Sequence, residues 1–398
     1  MSKILIIFSG SGLNVHLDEG AKHRLNCYIN SYNETGYEVD VLCLFKDFKY
    51  WKSLRKYVNK SARWIFVPYL FPRTKNKTFA WLLRYYKYFI GWFFSTIKQY
   101  DIIQSEVDGL PLRFIKSSTI RITDFHGDGY FEYTSKNNHK EWCSKNFLFD
   151  QICSIKHSDV CITVSKKLCK QIEENSKEKI KSNPIISCGV NTELYKCDKY
   201  EGELNTLIEN RLVLGYCGGL QAWQNIELII DVAIKLHEHD NRIFLMIYTG
   251  FEIPVKIQEL LDKLGKDNYY IKSLKPAEVP SHLRLLDAGF LLRDNLVLNI
   301  VSSPTKICEY LAAGVPLICT EYSGDYARSV HNGKEGFVLS NHPNYKSSSI
   351  NELLDYLKDV KERRDEYRNL CEVAASKRSF KSEFSLFDKY IRTQLKNV

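Results

Sequence analysis

The sequence predicts an α/β protein made of two Rossmann-like parallel-sheet domains facing a cleft, with a C-terminal helical segment. Three observations predict it. Strand-like apolar runs alternate with helix-like amphipathic runs in both halves, the pattern of parallel strands joined by crossover helices. Each half opens with an apolar strand running into a glycine loop, GSG after LIIFS and GG after VLGYC. A chain of 398 residues is also too long for one compact core and suits two ordinary domains.

The first domain, 1–190, begins with a strand (KILIIF), a loop (SGSGLN), a helix ending near Gly36 and a strand (YEVDVLCLF). A basic, aromatic segment over 46–98 interrupts the alternation. It resumes with DIIQS, TIRITDFHG, a helical stretch through Lys156, DVCITVS, a helix rich in Lys and Glu, and PIISCGV. The polar stretch 191–210 (NTELYKCDKYEGELNTLIEN) reads as a linker. The second domain, 211–378, starts at LVLGYCGGL and alternates through NIELIIDVAIKLHEH, RIFLMIY, a helix from Pro254, NYYIKSL, PSHLRLLD, AGFLLR, a helix after Ser303, and VPLICT. Ile226, Ile229, Ile230, Ala233 and Leu236 keep helical period. The last fifty residues are helical and charged, with a break near Ser379, and 379–398 is expected to form a helix packing back on the first domain.

Composition narrows the class. Charged residues make up 26% and hydrophobic ones 44%, which indicates a folded soluble protein without disorder. Twelve cysteines include no C-x-x-C pair, so a zinc or dithiol site is not expected, and the thiols read as small buried hydrophobes in a reducing cytoplasm. The start, MSKILIIFSG, lacks the features of a signal peptide. No apolar run reaches the roughly 18 residues needed to span a bilayer.

The net charge of +9 is uneven. Residues 46–98 hold 13 Lys and Arg against the single acid Asp47, so this segment carries +12 and the remainder −3. Seventeen aromatics interleave with these charges, as in KYWKSLRKY and RYYKYFIGWFF. Such a surface suits anionic lipid headgroups, at about 1 kcal/mol per well-placed cation. Nucleic acid is the other polyanion it could bind, and core aromatics beside solvated lysines are the plain alternative. The reading adopted is a membrane surface and no nucleic acid partner.

SSPTKICEYLAAGVPLI, Ser302 to Ile318, raises a separate question. Ser303 is a good N-cap, Pro304 suits the first helical position, and Gly314 followed by Pro316 supplies the stop. Ile307, Tyr310, Leu311 and Gly314 form the inward stripe, while Thr305, Lys306 and Glu309 share another face. Lys306 thus lies in the first turn, where a cation opposes the helix dipole at a cost of roughly 0.3–1 kcal/mol. A bound anion would reverse that sign, because free backbone N–H groups and an ammonium together make a phosphate site. The alternative is a lysine leaning into water. Gly10 and Gly12 allow close backbone approach to a ligand but lack the third glycine of a dinucleotide fingerprint, and Gly218 and Gly219 repeat the feature in the second half.

Four stretches carry a resemblance to a known family: PTKICEYLAAGVPLI, TDFHGDG, VCITVS with IISCGVNTELY, and YCGGLQAWQNIELIIDV. They resemble retaining glycosyltransferases of the GT-B fold, family 4, in particular those that assemble bacterial capsule, O-antigen and related surface polysaccharides. The resemblance implies that Glu309 accepts hydrogen bonds from the ribose hydroxyls of a nucleotide sugar. It implies that Lys306 and the helix start, with Ser303 and Thr305, hold the diphosphate. Arg293, after AGFLLR, would be a second cation there. His126 would bond the transferred sugar or support the developing oxocarbenium charge through its carbonyl. Gly12, Gly218 and Gly219 would line the donor site. A surface partner for Lys306 is the plainer role for Glu309, a structural ion pair for Arg293, and ordinary packing for His126.

Two positions depart from the family pattern. Val301 stands where a first glutamate usually reaches the donor sugar. Gln224 stands in place of a lysine and reads as a neutral donor to phosphate or sugar. The chain has no D-x-D triplet, so no metal cofactor is expected; leaving-group charge would be met by the helix dipole, Lys306 and Arg293. The function so implied is transfer of a hexose or N-acetylhexosamine, with retention, from a nucleotide diphosphate sugar, UDP-linked, to a lipid-linked glycan, by a cytoplasmic enzyme peripheral at the inner membrane face. The rivals are a nucleotide-sugar epimerase or hydrolase of the same fold and an inactive scaffold. A nicotinamide dehydrogenase fits less well, because Asp40 sits within its strand and not at its end.

Overall fold

The structure is a computed structural model that describes residues 2–9, 19–45, 58–68, 77–106, 110–116, 118–134, 141–197, 200, 202–327, 330, 334–340 and 347–396. The chain divides into two compact units, Met1–Cys188 with Phe380–Val398, and Gly189–Ser379.

The first unit contains β1 (Lys3–Ser9), α1 (Glu19–Glu34), β2 (Glu38–Phe45), β3 (Arg63–Pro68), α2 (Lys77–Ile97), β4 (Ile102–Glu106), β5 (Ile120–Phe125), α3 (Glu141–His157), β6 (Val160–Thr163) and α4 (Lys166–Ser176), with shorter turns unnumbered. Its six strands are parallel in the order β3-β2-β1-β4-β5-β6. This is the doubly wound order, whose switch point lies between β1 and β4. The second unit contains β7 (Leu212–Cys217), α5 (Ile226–His239), β8 (Ile243–Tyr248), α6 (Val255–Leu264), β9 (Tyr269–Lys272), β10 (Ala288–Leu291), α7 (Thr305–Ala312), β11 (Leu317–Cys319), β12 (Gly336–Val338), α8 (Ser347–Glu362) and α9 (Arg364–Lys377). Its order, β12-β11-β10-β7-β8-β9, is the same winding counted from its own first strand, so the switch point falls between β7 and β10.

Alternation along the strands explains the layering. Leu212, Leu214 and Tyr216 face one apolar cluster with Ile229, Ile230, Ala233 and Leu236 of α5, whereas Val213 faces another with Ile307 and Leu311 of α7. Both faces of the sheet are therefore covered.

Three details differ from the sequence expectation. The basic, aromatic segment contains an edge strand, β3, hidden by a composition that reads equally as helix. PIISCGV forms only an isolated bridge, Thr163 with Ile185, because β6 ends at Thr163. The stretch 191–210, expected as a linker, belongs to the second unit: Tyr195 and Leu204 are buried with Leu283, Leu285 and Ile307.

The final helix, α10 (Phe380–Leu395), belongs to the first unit. Phe380, Phe384, Phe387 and Ile391 are buried on one stripe with Tyr28, Ile29 and Tyr32 of α1. Phe380 meets Tyr28 edge-on at 4.9 Å, as Phe384 meets Tyr32. Glu383 accepts from the Ser187 N–H at 2.6 Å and from its hydroxyl at 2.8 Å. The Phe384→Ala substitution removes the centre of this stripe. It is expected to cost about 3–5 kcal/mol, measured as the denaturant midpoint of the first unit's transition; a change below about 1 kcal/mol would show that α10 does not depend on this packing.

Candidate functional site

Two elements meet at the switch point of the second unit. Helix α7 follows β10, and the glycine loop follows β7. Burial of Ile307, Cys308, Tyr310, Leu311 and Ala312 fixes the roll of α7. The Tyr310 hydroxyl accepts from the Cys217 N–H at 2.9 Å, tying the helix to the end of β7. The chain leaves α7 through Gly314, whose φ of +72 is one that side chains other than glycine rarely adopt.

The helix start differs from the expectation. Pro304, not Ser303, is the N-cap, because its extended backbone immediately precedes the first helical residue, Thr305. Ser303 is buried, and its hydroxyl accepts from Arg378 at 3.0 Å. Arg378 also grips Asp325 at 2.7 and 2.9 Å, so Ser303 belongs to a brace behind the helix start.

Lys306 does not lean into water. Its Nζ donates to Gln224 Oε1 at 2.6 Å and to the Tyr216 hydroxyl at 3.3 Å, and it lies 4.8 Å from the centre of the Tyr216 ring. Gly218 makes room for this ammonium. A Cβ there would overlap Nζ, and the backbone φ of +149 also disfavours a side chain. The Gly218 N–H is committed to the Tyr248 carbonyl at 2.9 Å, while the Gly219 carbonyl accepts from Tyr216. The Gln224 carbonyl oxygen thus serves as an acceptor for Lys306, a role beside the one expected of its NH2 group.

Arg293 stands just beyond β10. Its backbone is clamped by Thr320, whose hydroxyl accepts from the Arg293 N–H at 3.1 Å and donates to its carbonyl at 2.6 Å. The side chain is almost wholly buried, at 7% exposure, and its guanidinium donates to the Trp223 carbonyl. Burial lowers the Arg293 pKa. Burial, then the charge of Arg293, pulls Lys306 down to about 7, with Cys217 and Glu309 acting weakly the other way. Glu309 lies one turn along α7, partly buried beside Tyr195, whose hydroxyl is pushed up by burial and by the Glu309 charge.

Thr305, Lys306, Glu309, Gly218, Gly219, Gln224 and Arg293 thus gather at one switch point. The structure adds Tyr216, the Trp223 carbonyl and Asn225. Asn225 takes a left-handed φ of 57 and donates to Asp294 at 2.8 Å, linking the loops after β7 and β10. Val301 is buried at the end of the short helix Val297–Val301. Gly12 lies outside the described residues.

His126 belongs to the other unit, at the carboxyl end of β5. Desolvation lowers its pKa, and its Nδ1 lies 3.6 Å from Glu106 Oε1 at the end of β4 without a hydrogen bond. The chain on either side of it is tied by hydrogen bonds: Arg24 grips Asp124 of β5 through two bonds of 2.7 Å, and Asp128 accepts from Gln151 at 2.5 Å and Asn175 at 2.6 Å.

Residues 203–372 match the family described as glycosyl transferases group 1. The matched residues lie wholly within the second unit. A protein of Bacillus subtilis described as a teichuronic acid biosynthesis glycosyltransferase is 25% identical over 174 residues, which is 42% of this chain and 41% of that protein. The chain thus aligns with less than half the length of this curated relative. Among solved structures, a glycosyltransferase from Rickettsia africae superposes with a TM-score of 0.73 at 14% identity, covering 100% of this chain and 99% of that one. Anabaena HepE in complex with UDP gives 0.69 at 14%, covering 99% and 100%. TarM of S. aureus, in a complex that includes UDP, gives 0.67 at 10%, covering 98% and 99%. The fold is GT-B.

The half-buried ammonium has a pH consequence. The folded pKa of Lys306 is about 7 against an ordinary 10.5, so between these values the unfolded chain binds more protons and folding stability rises with pH. A full proton of difference corresponds to about 1.4 kcal/mol per pH unit. Lys306→Met is expected to flatten this rise between pH 7 and pH 9 in thermal or urea unfolding; parallel profiles for both proteins would contradict the burial of a titrating ammonium.

Proposed function

We propose that this chain transfers a hexose or N-acetylhexosamine from a UDP-linked sugar to a lipid-linked glycan in bacterial surface polysaccharide synthesis, with retention of anomeric configuration and without a metal. One observation carries the reading. Arg293, buried, and Lys306, half-buried, are two cations at the switch point of the unit that matches glycosyl transferases group 1, and desolvation lowers the pKa of each, which a bound anion would reverse.

A diphosphate supplies that anion. Lys306 and Arg293 take its charge, and the backbone N–H groups at the start of α7 add dipolar stabilisation. Glu309 accepts from the ribose hydroxyls through its two carboxylate oxygens. His126 is a hydrogen-bonding partner for the transferred sugar. In the transfer, the bond between the anomeric carbon and the diphosphate oxygen breaks, and the acceptor hydroxyl oxygen bonds the same carbon from the same face. The hydroxyl proton passes to the departing diphosphate. Lys306 and Arg293 stabilise the growing negative charge, which is why a divalent cation is not required in this scheme. The acceptor is placed at an anionic membrane surface on the cytoplasmic side, in keeping with the +12 charge of residues 46–98. Among the described residues, no helix is long and apolar enough to cross a membrane.

Thermal unfolding with UDP, GDP, CMP and their sugars tests the donor site. Free UDP at 100 times its dissociation constant is expected to add about 2.7 kcal/mol, and Lys306→Ala and Glu309→Gln to abolish the shift. A shift that survives both substitutions, or none with any nucleotide, would refute it. Consumption of the UDP-sugar at full rate with no glycan present would favour a hydrolase or epimerase.

A further inference from the structure

Helix α2, KTFAWLLRYYKYFIGWFFSTI, contains no acidic residue. Its buried side is fixed by Ile90, Tyr88 and Gly91. Gly91 presses so close to Pro111 that a Cβ would overlap the Pro111 backbone, and the Tyr86 hydroxyl donates to the Pro68 carbonyl at 2.8 Å. The roll of the helix is thereby set. Leu82, Tyr85, Phe89, Trp92 and Phe93 then follow at three- and four-residue steps on the other side, each at least 40% exposed. Phe89 stacks on Phe93 at 5.7 Å and meets Trp92 at 6.0 Å. Phe114, 54% exposed, extends the patch beside Tyr88.

A contiguous apolar face of this kind on a soluble unit marks an interaction surface. Charge selects the partner. The sequence of α2 has three basic residues and no acidic one, and Arg113 lies 5.5 Å from the ring centres of Tyr88 and Phe114, so a second copy of the chain would bring like charge against like charge. An anionic bilayer instead offers apolar acyl chains beneath negative headgroups, and Trp, Tyr and Phe suit the boundary between them. The geometry points to α2 lying flat in the headgroup region of an anionic membrane, with Leu82, Tyr85, Phe89, Trp92 and Phe93 inserted and Arg113, beside Tyr88 and Phe114, on a lipid phosphate. This inference rests on the proposed membrane location of the acceptor and names the surface that makes the contact.

Flotation of the full chain with vesicles of phosphatidylcholine alone, or of phosphatidylcholine with phosphatidylglycerol, tests it, using the native protein and the double variant Phe89→Ser, Trp92→Ser. The native protein is expected to float with the phosphatidylglycerol vesicles. The double variant is expected to bind about tenfold or more weakly, with an unchanged unfolding midpoint and an unchanged response to UDP. Equal flotation of both proteins would overturn the role of α2 while leaving membrane attachment to other basic residues. If neither floats and the native protein self-associates where the variant does not, the face joins two copies and the lipid inference is wrong. If neither floats or self-associates, both the inference and the membrane placement fail. The UDP response is read separately, so none of these outcomes is confused with failure of the transferase reading.

Discussion

An ammonium and a guanidinium share one partly dehydrated switch point, and the second unit is arranged around the tension between them. Lys306 sits at the positive end of its own helix, beneath a glycine that leaves it space and beside an arginine that repels it. Its resting partners are neutral oxygens, from Gln224 and Tyr216. Neutral acceptors satisfy the hydrogen bonds of the ammonium without cancelling its charge. The site is consequently short of negative charge in a way that a carboxylate pair would have removed, and a diphosphate completes it.

The scaffold keeps that arrangement from relaxing. Tyr310 holds α7 to β7, Thr320 clamps the Arg293 backbone, and Asn225 joins the loop after β7 to the loop after β10 through Asp294. Each bond runs between elements far apart in sequence but adjacent at the switch point of a doubly wound sheet. The first unit repeats the winding, places His126 and Glu106 at the ends of neighbouring strands, and ties β5 through the Arg24 and Asp124 pair.

Much of this was legible in the sequence because it is periodic. Alternating strands and helices announced both sheets, and the three-residue step from Lys306 to Glu309 placed both on the first turns of one helix. The misses share a physical cause. Tyr216 reads as one more core residue of a strand, and only the approach of α7 turns its hydroxyl and ring into a seat for Lys306. Gln224 reads as a ligand donor, and only tertiary contact shows that its carbonyl oxygen also holds that same ammonium. Ser303 has the chemistry of a cap, but Arg378, distant in sequence, claims its oxygen. Strand β3 and the exposed face of α2 lie in one aromatic, basic stretch whose composition cannot say which rings are buried; Gly91 against Pro111 decides it.

The most direct test of the half-buried cation is the proton balance of UDP binding. At pH 8 a lysine with a pKa near 7 is mostly neutral, and a bound diphosphate returns it to the charged form. Titration calorimetry in buffers of different ionisation enthalpy should then show uptake of close to one proton, about 0.9, per UDP bound at that pH. The Lys306→Met protein should show almost none, with weaker affinity. Binding of UDP with no proton uptake, or equal uptake by Lys306→Met, would contradict the account.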